Sequence, residues 1–200
     1  VNALKRFYIT DMEDTVGSIF SKLQAGGLKI YLHGGIIRDM FKGVRSYDID
    51  VIFDKDVGTA KKVCESQKWP CSTVLIREQY INFGTDKGAS VEGGNLKKSF
   101  LSPVWEQENS INSFAYDLAH DILIDVTGFG LVDIIHNQFR LGARPDDWIK
   151  WAEGDPKRPF RYFKMLEKGY KPFTKEMHKF VVNYIETHWD SVYMKPISEN

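Results

Sequence analysis

Residues 33–54, HGGIIRDMFKGVRSYDIDVIFD, hold the densest group of residues able to do chemistry. Gly34 and Gly35 can take positive φ and let a ligand approach the main chain closely. The residues after them predict one or two helical turns over 36–41, with Gly43 placed to end the helix. The first N–H groups of that helix would face the glycines, which suits an anion. Asp48 and Asp50 then open a strand that continues as Val51, Ile52 and Phe53, and in a strand residues i and i+2 share a face. Two carboxylates on one face repel each other unless a cation sits between them, and hard oxygen ligands suit Mg²⁺. A phosphate cradle beside a magnesium site points to chemistry on a nucleoside triphosphate.

The elements that must position these groups are legible on both sides. Asp11 caps a helix predicted over 12–25, with Met12, Val16, Ile19, Phe20 and Leu23 at helical spacing and Gly26 and Gly27 at its end. A strand over 28–32 delivers the chain into the glycines. After the strand at 48–53, Asp56 caps a helix through 67, closed by Trp69 and Pro70, and short strands are expected at 72–76 and 79–83. Residues 84–103 hold several glycines and lysines with weak periodicity and read as a flexible or hairpin segment. Residues 111–118 and 122–126 are apolar enough for helix or strand, with His120 and Asp121 as the turn between them. A short helix is expected at 131–135 and a strand at 139–141. From Pro145 onward the character is helical. Pro156 suits a first helical position, and Phe160, Phe163 and Leu166 or Glu167 mark successive turns. A last helix over 174–188 carries Met177, Phe180, Val181, Tyr184 and Ile185 on one stripe. The expected organisation is an α/β head over 1–142 and a short helical segment over 143–200.

Composition bounds the function. Two hundred residues with 42% hydrophobic content suit one compact unit or one domain with an appendage. Twenty-seven basic and 27 acidic residues cancel, so any RNA contact has to use a local patch. Cys64 and Cys71 make neither a disulfide framework nor a metal-ligand cluster, which reads as an intracellular, reducing compartment, the cytoplasm first. No apolar run is long enough to span a bilayer and no signal peptide opens the chain, so no membrane partner is expected. The five histidines, His33 among them, have no metal-ligand spacing and read as structural or exposed.

The run from Gly34 to Asp50 resembles the head-domain signature of class II nucleotidyltransferases, the CCA-adding enzymes and bacterial poly(A) polymerases. That pattern is Gly-Gly-x-Val-Arg-Asp, a spacer, then Asp-x-Asp, and this chain has Gly34, Gly35, Ile37, Arg38, Asp39, Asp48 and Asp50. Later blocks follow in order. Asn112 matches the family's Arg-Arg-Asp-x-x-x-Asn-Ala block, with Glu108 at its acidic position and Tyr116-Asp117 behind it. Leu123, Asp125, Gly128 and Asp133 match the next block, and Arg140 sits where the family has an arginine ahead of its neck. Asp155 and Arg158, followed by Arg161 and Lys164, resemble the family's Glu-Asp-x-x-Arg.

The resemblance implies an α+β fold: a polymerase-β-like nucleotidyltransferase head, a small mixed sheet with flanking helices, then a short helical neck. The family's body and tail domains have no counterpart in residues 1–200. The implied activity is template-independent addition of CMP, AMP or both to an RNA 3′ end, tRNA first, from CTP and ATP. Asp48 and Asp50 would be catalytic and would hold two Mg²⁺ ions, spaced about 3.5–4 Å, that clamp the attacking hydroxyl and the leaving pyrophosphate. Gly34, Gly35, Arg38 and Asn112 would bind the nucleotide, Arg38 as a charge-matched fork. Asp155 and Arg158 lie one helical turn apart, an acceptor and a planar donor that can read a base edge; alone, such a pair reads as a surface salt bridge. Arg161 would join this nucleotide-binding face, and Asp39 fits a structural partner better than a ligand.

Two departures keep other readings open. Glu106 and Gln107 stand where the family has paired arginines, which suits a nucleotidyltransferase-fold domain with weakened catalysis that binds RNA or protein. A third carboxylate is expected from a neighbouring strand, and Glu78, Asp86 and Glu108 all qualify. A third reading transfers the nucleotide to a small molecule or a protein.

Overall fold

The computed structural model describes residues 18–44, 48–68, 71–74, 80–83, 90–95, 108–117, 119–142, 144–154 and 158–189. It is a mixed α+β fold. Helix α1 (Ser18–Ala25) leads into β1 (Ile30–His33), α2 (Gly35–Phe41), β2 (Asp48–Phe53) and α3 (Val57–Ser66). Strands β3 (Cys71–Val74), β4 (Tyr80–Phe83) and β5 (Ser90–Asn95) follow. A 3-10 turn (Ser110–Asn112) then introduces the hairpin β6 (Phe114–Asp117) and β7 (Ile122–Asp125). Helix α4 (Gly130–Ile135) and β8 (Gln138–Phe139) lead to α5 (Pro145–Gly154), α6 (Arg158–Glu167), β9 (Lys171–Pro172) and α7 (Lys175–His188).

Seven strands form one sheet in the order β3-β4-β5-β2-β1-β6-β7. Its pairs are antiparallel except β2 with β5, which run parallel and join two antiparallel ribbons into a mixed sheet. Alternation along β2 decides its two faces. Ile49, Val51 and Phe53 point into the core with Ile30 and Leu32 of β1 and Phe114 and Tyr116 of β6, while Asp50 points the other way and is exposed. Helices α1 to α3 close the core face with Leu23, Ile36, Ile37, Met40, Ala60 and Cys64. Asp56 caps α3 as expected, accepting from Thr59 N at 2.9 Å and from the Thr59 hydroxyl at 2.7 Å.

The same core continues into the C-terminal helices. Trp148 of α5 is enclosed by edge-to-face contacts with Phe180 and Tyr184 of α7, at 5.4 and 5.2 Å between ring centroids. Phe139 packs edge-on against Tyr162 of α6 at 5.1 Å. Thr174 caps α7, and Val181, Tyr184 and Ile185 form its buried stripe. β8 pairs in parallel with β9, tying the end of the sheet region to the loop between α6 and α7. Among the described residues no helix is long and apolar enough to cross a membrane.

Two open readings are resolved and one expectation changes. Part of the segment read as flexible or hairpin is β5, paired antiparallel with β4 and, along six residues, in parallel with β2. The 111–126 region, open between helix and strand, is a strand hairpin; Asp121 takes φ 58° in its turn, which an aspartate tolerates better than most residues. In α6 the buried stripe is Pro159, Tyr162 and Met165, whereas Phe160 is 41% exposed. The helix starts near Arg158 and its phase is set by Tyr162 meeting Phe139, so Phe160 is turned away from the core. The described part of the first helix is Ser18–Ala25; its expected beginning at Asp11 and Met12 lies outside the described residues, as does Pro156.

Candidate active site

Two adjacent strands and the turn after the first build the site. β1 ends at His33, and the chain reverses into α2 through Gly34 at φ 76° and ψ −148°, a conformation natural to glycine and strained for any other residue. The turn lies directly on β2: a Cβ at position 34 would stand 3.1 Å from Asp50 Oδ2. Position 48 shares the strand face of Asp50 by the alternation of β2. The structure thus brings the buried Gly34, the half-buried Gly35 and the exposed Asp50 together in one ledge at the end of β1, with Asp48 at the start of β2.

The ledge extends on both sides through strand register. Antiparallel pairing sets His33 of β1 opposite Asp50. Parallel pairing sets Glu92 of β5 beside Asp50 on the other side. Position 92 is not singled out by the sequence, because β5 (SVEGGN) has two glycines and no alternating apolar face to announce a strand. Of the three carboxylates weighed from sequence, Glu78 and Asp86 lie outside the described residues, and Glu108 pairs with Arg161 at 3.4 Å. Among the described side chains no three His, Cys, Asp or Glu gather closely enough to hold a metal ion. Asp50 is an exposed carboxylate, a hard oxygen donor of the kind that divalent cations take.

His33 is half-buried and fixed by its own hydrogen bond. Its Nδ1 lies 2.7 Å from the carbonyl oxygen of Phe114, which also accepts from Gly34 N at 3.4 Å. A carbonyl can only accept, so Nδ1 carries the proton. Burial holds the imidazole pKa below its ordinary value, which favours the neutral ring.

Arg38 backs the glycine turn from inside. It is 4% exposed, and its guanidinium lies within 3.1–3.3 Å of where a Cβ on Gly35 would be. The fork is shared between Asp39 (Nε at 2.7 Å, Nη2 at 2.6 Å), Asn112 Oδ1 at 2.5 Å and the Met165 sulfur at 3.4 Å. Asn112 is itself held by the Asn109 side chain, which accepts from Asn112 N at 3.0 Å. Lys168, just past α6, reaches Asp39 at 3.4 Å. Arg38 and Asn112 therefore meet, as one buried node that ties the glycine turn to the 3-10 turn and to α6.

The expected base-reading residues lie on the helical side. Arg158 stacks over the Trp151 ring at 4.8 Å and donates to the Trp151 carbonyl at 3.4 Å. Arg161 is exposed and bonds Glu108, so the acid there is already neutralised by a neighbouring guanidinium. Asp155 lies outside the described residues. Glu108, Asn109, Trp151 and Arg158 line a pocket of about 10 Å³, room for one water and no more. A larger cavity of about 370 Å³ lies among Leu166, Pro172, Thr174, Lys175, His178 and Lys179, and none of the expected site residues lines it.

The intervening motif residues are structural. Asp125 caps α4, accepting from Gly128 N and Leu131 N, each at 3.0 Å. Asp133 is fully buried and accepts from the Ser110 hydroxyl (2.6 Å), Gln138 Nε2 (2.9 Å) and Arg140 Nε (3.2 Å). Arg140 is sandwiched between the rings of Phe129 and Phe173, at 4.2 and 3.7 Å.

The chain matches no known protein-family model and no curated protein. Solved structures do match. A CCA-adding enzyme in an apo form superposes with a TM-score of 0.71 at 17% identity, over 93% of this chain and 46% of that one. The Thermotoga maritima CCA-adding enzyme complexed with tRNA gives 0.69 at 16% identity, over 86% and 42%. A tRNA-processing enzyme solved with CTP gives 0.65 at 21% identity, over 87% and 47%. The chain spans less than half the length of each of these enzymes. Over that span, it has the fold of the CCA-adding and tRNA-processing enzymes.

Proposed function

We propose that this chain is a template-independent RNA nucleotidyltransferase that adds CMP, AMP or both to an RNA 3′ end, with a tRNA as the first candidate acceptor. The observation that carries the reading is Asp50, exposed and packed against the left-handed Gly34 turn, in a fold shared with CCA-adding enzymes. In this reading the backbone at Gly34 and Gly35 approaches the triphosphate, where no Cβ stands in the way. Arg38 contributes its charge from beneath Gly35, and its bonds to Asp39 and Asn112 keep the turn in one shape. Asp48 and Asp50 hold the divalent cations. Bound Mg²⁺ would supply Lewis-acid chemistry, making a 3′-hydroxyl easier to deprotonate and stabilising the charge of a leaving pyrophosphate.

On the helical side Arg158, held flat by Trp151, offers a planar donor fork to a base edge, with Asp155 as the matching acceptor. Arg161 adds positive charge beside it. The pocket next to Arg158 admits only a water, so a base has to lie over the Arg158–Trp151 stack or displace it.

The test is incorporation. The chain is incubated with Mg²⁺, each labelled nucleoside triphosphate in turn, and tRNA lacking its 3′ end. Labelled RNA with CTP or ATP is the expected result. No label with any nucleotide, together with no nucleotide binding by calorimetry, would replace this reading with a binding module.

A further inference from the structure

We infer that His33 is a metal ligand through Nε2, so that the Asp48/Asp50 site is a mixed nitrogen–oxygen site suited to Mn²⁺ as well as Mg²⁺. The inference rests on the proposed role of Asp48 and Asp50 as cation-holding residues.

Three observations carry it. First, His33 stands directly opposite Asp50 in the antiparallel β1–β2 pair. Residues paired in this way project to the same face with Cβ atoms about 4.5–5.5 Å apart, within reach of one shared ion. Second, the Nδ1–H of His33 is spent on the Phe114 carbonyl at 2.7 Å. With that proton fixed, Nε2 presents a lone pair. This is how metal-binding histidines are usually oriented: the far nitrogen donates to a backbone carbonyl, which sets the tautomer and the ring direction. Third, the Phe114 carbonyl that holds the ring also accepts from Gly34 N, and the Gly34 turn rests on Asp50 Oδ2. Ring, turn and carboxylate are therefore one rigid assembly.

A histidine that only stapled β1 to β6 would need the Phe114 bond but no carboxylate across the ladder. Here it has both, the Phe114 bond on one side and the Asp50 position across the ladder on the other. The chemical consequence is selectivity. Mg²⁺ prefers oxygen donors in near-ideal octahedral geometry. An imidazole nitrogen among carboxylates raises the affinity for transition metals relative to Mg²⁺.

The experiment uses the full chain and Mn²⁺ as the probe, read by electron paramagnetic resonance. Bound Mn²⁺ is expected to show electron spin-echo modulation from a directly coordinated ¹⁴N. His33→Gln should remove that modulation and lower the Mn²⁺-to-Mg²⁺ affinity ratio at least about tenfold. Histidine labelled with ¹⁵N in the unaltered chain should replace the ¹⁴N pattern, so the assignment to histidine does not depend on the variant folding. Asp50→Asn should release the Mn²⁺. Mn²⁺ that needs Asp50 but shows no ¹⁴N coupling, or a coupling that survives His33→Gln, would overturn the inference and leave the carboxylate site standing. No Mn²⁺ binding, or binding indifferent to Asp50→Asn, would overturn both.

Discussion

Two aspartates show how the same side chain is put to opposite uses in this fold. Asp133 is fully buried, and a hydroxyl, an amide and a guanidinium all donate to it; nothing from outside can reach it. Asp50 is exposed on the edge of the glycine turn, with a histidine opposite and a glutamate position beside it. Both occupy positions that resemble motif residues of one enzyme family, so sequence likeness alone gives them equal standing. Burial separates them: Asp133 joins the sheet region to β8 from inside the core, and Asp50 lies at the solvent-facing side of β2. The two arginines divide in the same way. Arg38 is enclosed within the sheet region, whereas Arg158 is half-buried, stacked on the Trp151 ring and bonded to the Trp151 carbonyl.

The comparison can be broken by substitution. Asp133→Ala should have the largest effect on stability. Removing one partner of a buried ion pair costs about 3–5 kcal/mol, and the lower end applies because the Arg140 side chain keeps 26% of its surface in water. Thermal unfolding should show a drop in Tm of many degrees. A loss below about 1 kcal/mol would mean that Asp133 is not the hub its bonds suggest.

Gly34→Ala comes next. Alanine at φ 76° and ψ −148° costs about 1–3 kcal/mol in backbone strain, and its methyl group would press on Asp50 Oδ2. Denaturant unfolding should report that loss, and nucleotide incorporation should fall with it. Unchanged stability and activity would mean that the turn relaxes and does not constrain the ledge.

Thr174→Ala tests the helical side without touching either aspartate. Loss of the cap on Met177 N should cost about 1 kcal/mol and leave nucleotide binding unchanged. Tyr170→Phe should move stability least, and in the opposite direction. The Tyr170 hydroxyl is buried with no hydrogen-bond partner among the described residues, so its removal should be neutral or stabilise by up to about 1 kcal/mol. A clear loss on Tyr170→Phe would reveal a partner for that hydroxyl.

What the sequence makes legible follows from how local each feature is. The glycine turn, the capped helix α3 and the Asp48/Asp50 alternation depend on φ, on a three-residue capping reach and on strand pleat, all encoded within a few residues. Glu92 is invisible for the opposite reason. Its strand is a strand because β2 lies alongside it, and two glycines weaken any signal of its own. His33 reads as an isolated histidine until the register places Asp50 across from it. Arg38 looks like an open phosphate fork in the sequence, and only packing against Asn112 and Met165, 74 and 127 residues away, shows it enclosed. The phase of α6 is misread because Phe160 is as apolar as Tyr162, and contact with Phe139 decides between them.

The most direct measurement of the central claim is Mg²⁺-dependent nucleotide incorporation by the chain and by its Asp48→Ala/Asp50→Ala variant, with unfolding followed on both. The account predicts labelled RNA from the unaltered chain, none from the variant, and a variant that still folds cooperatively, because Asp50 lies on an exposed face and not in the core. Full incorporation by the folded double variant would contradict it.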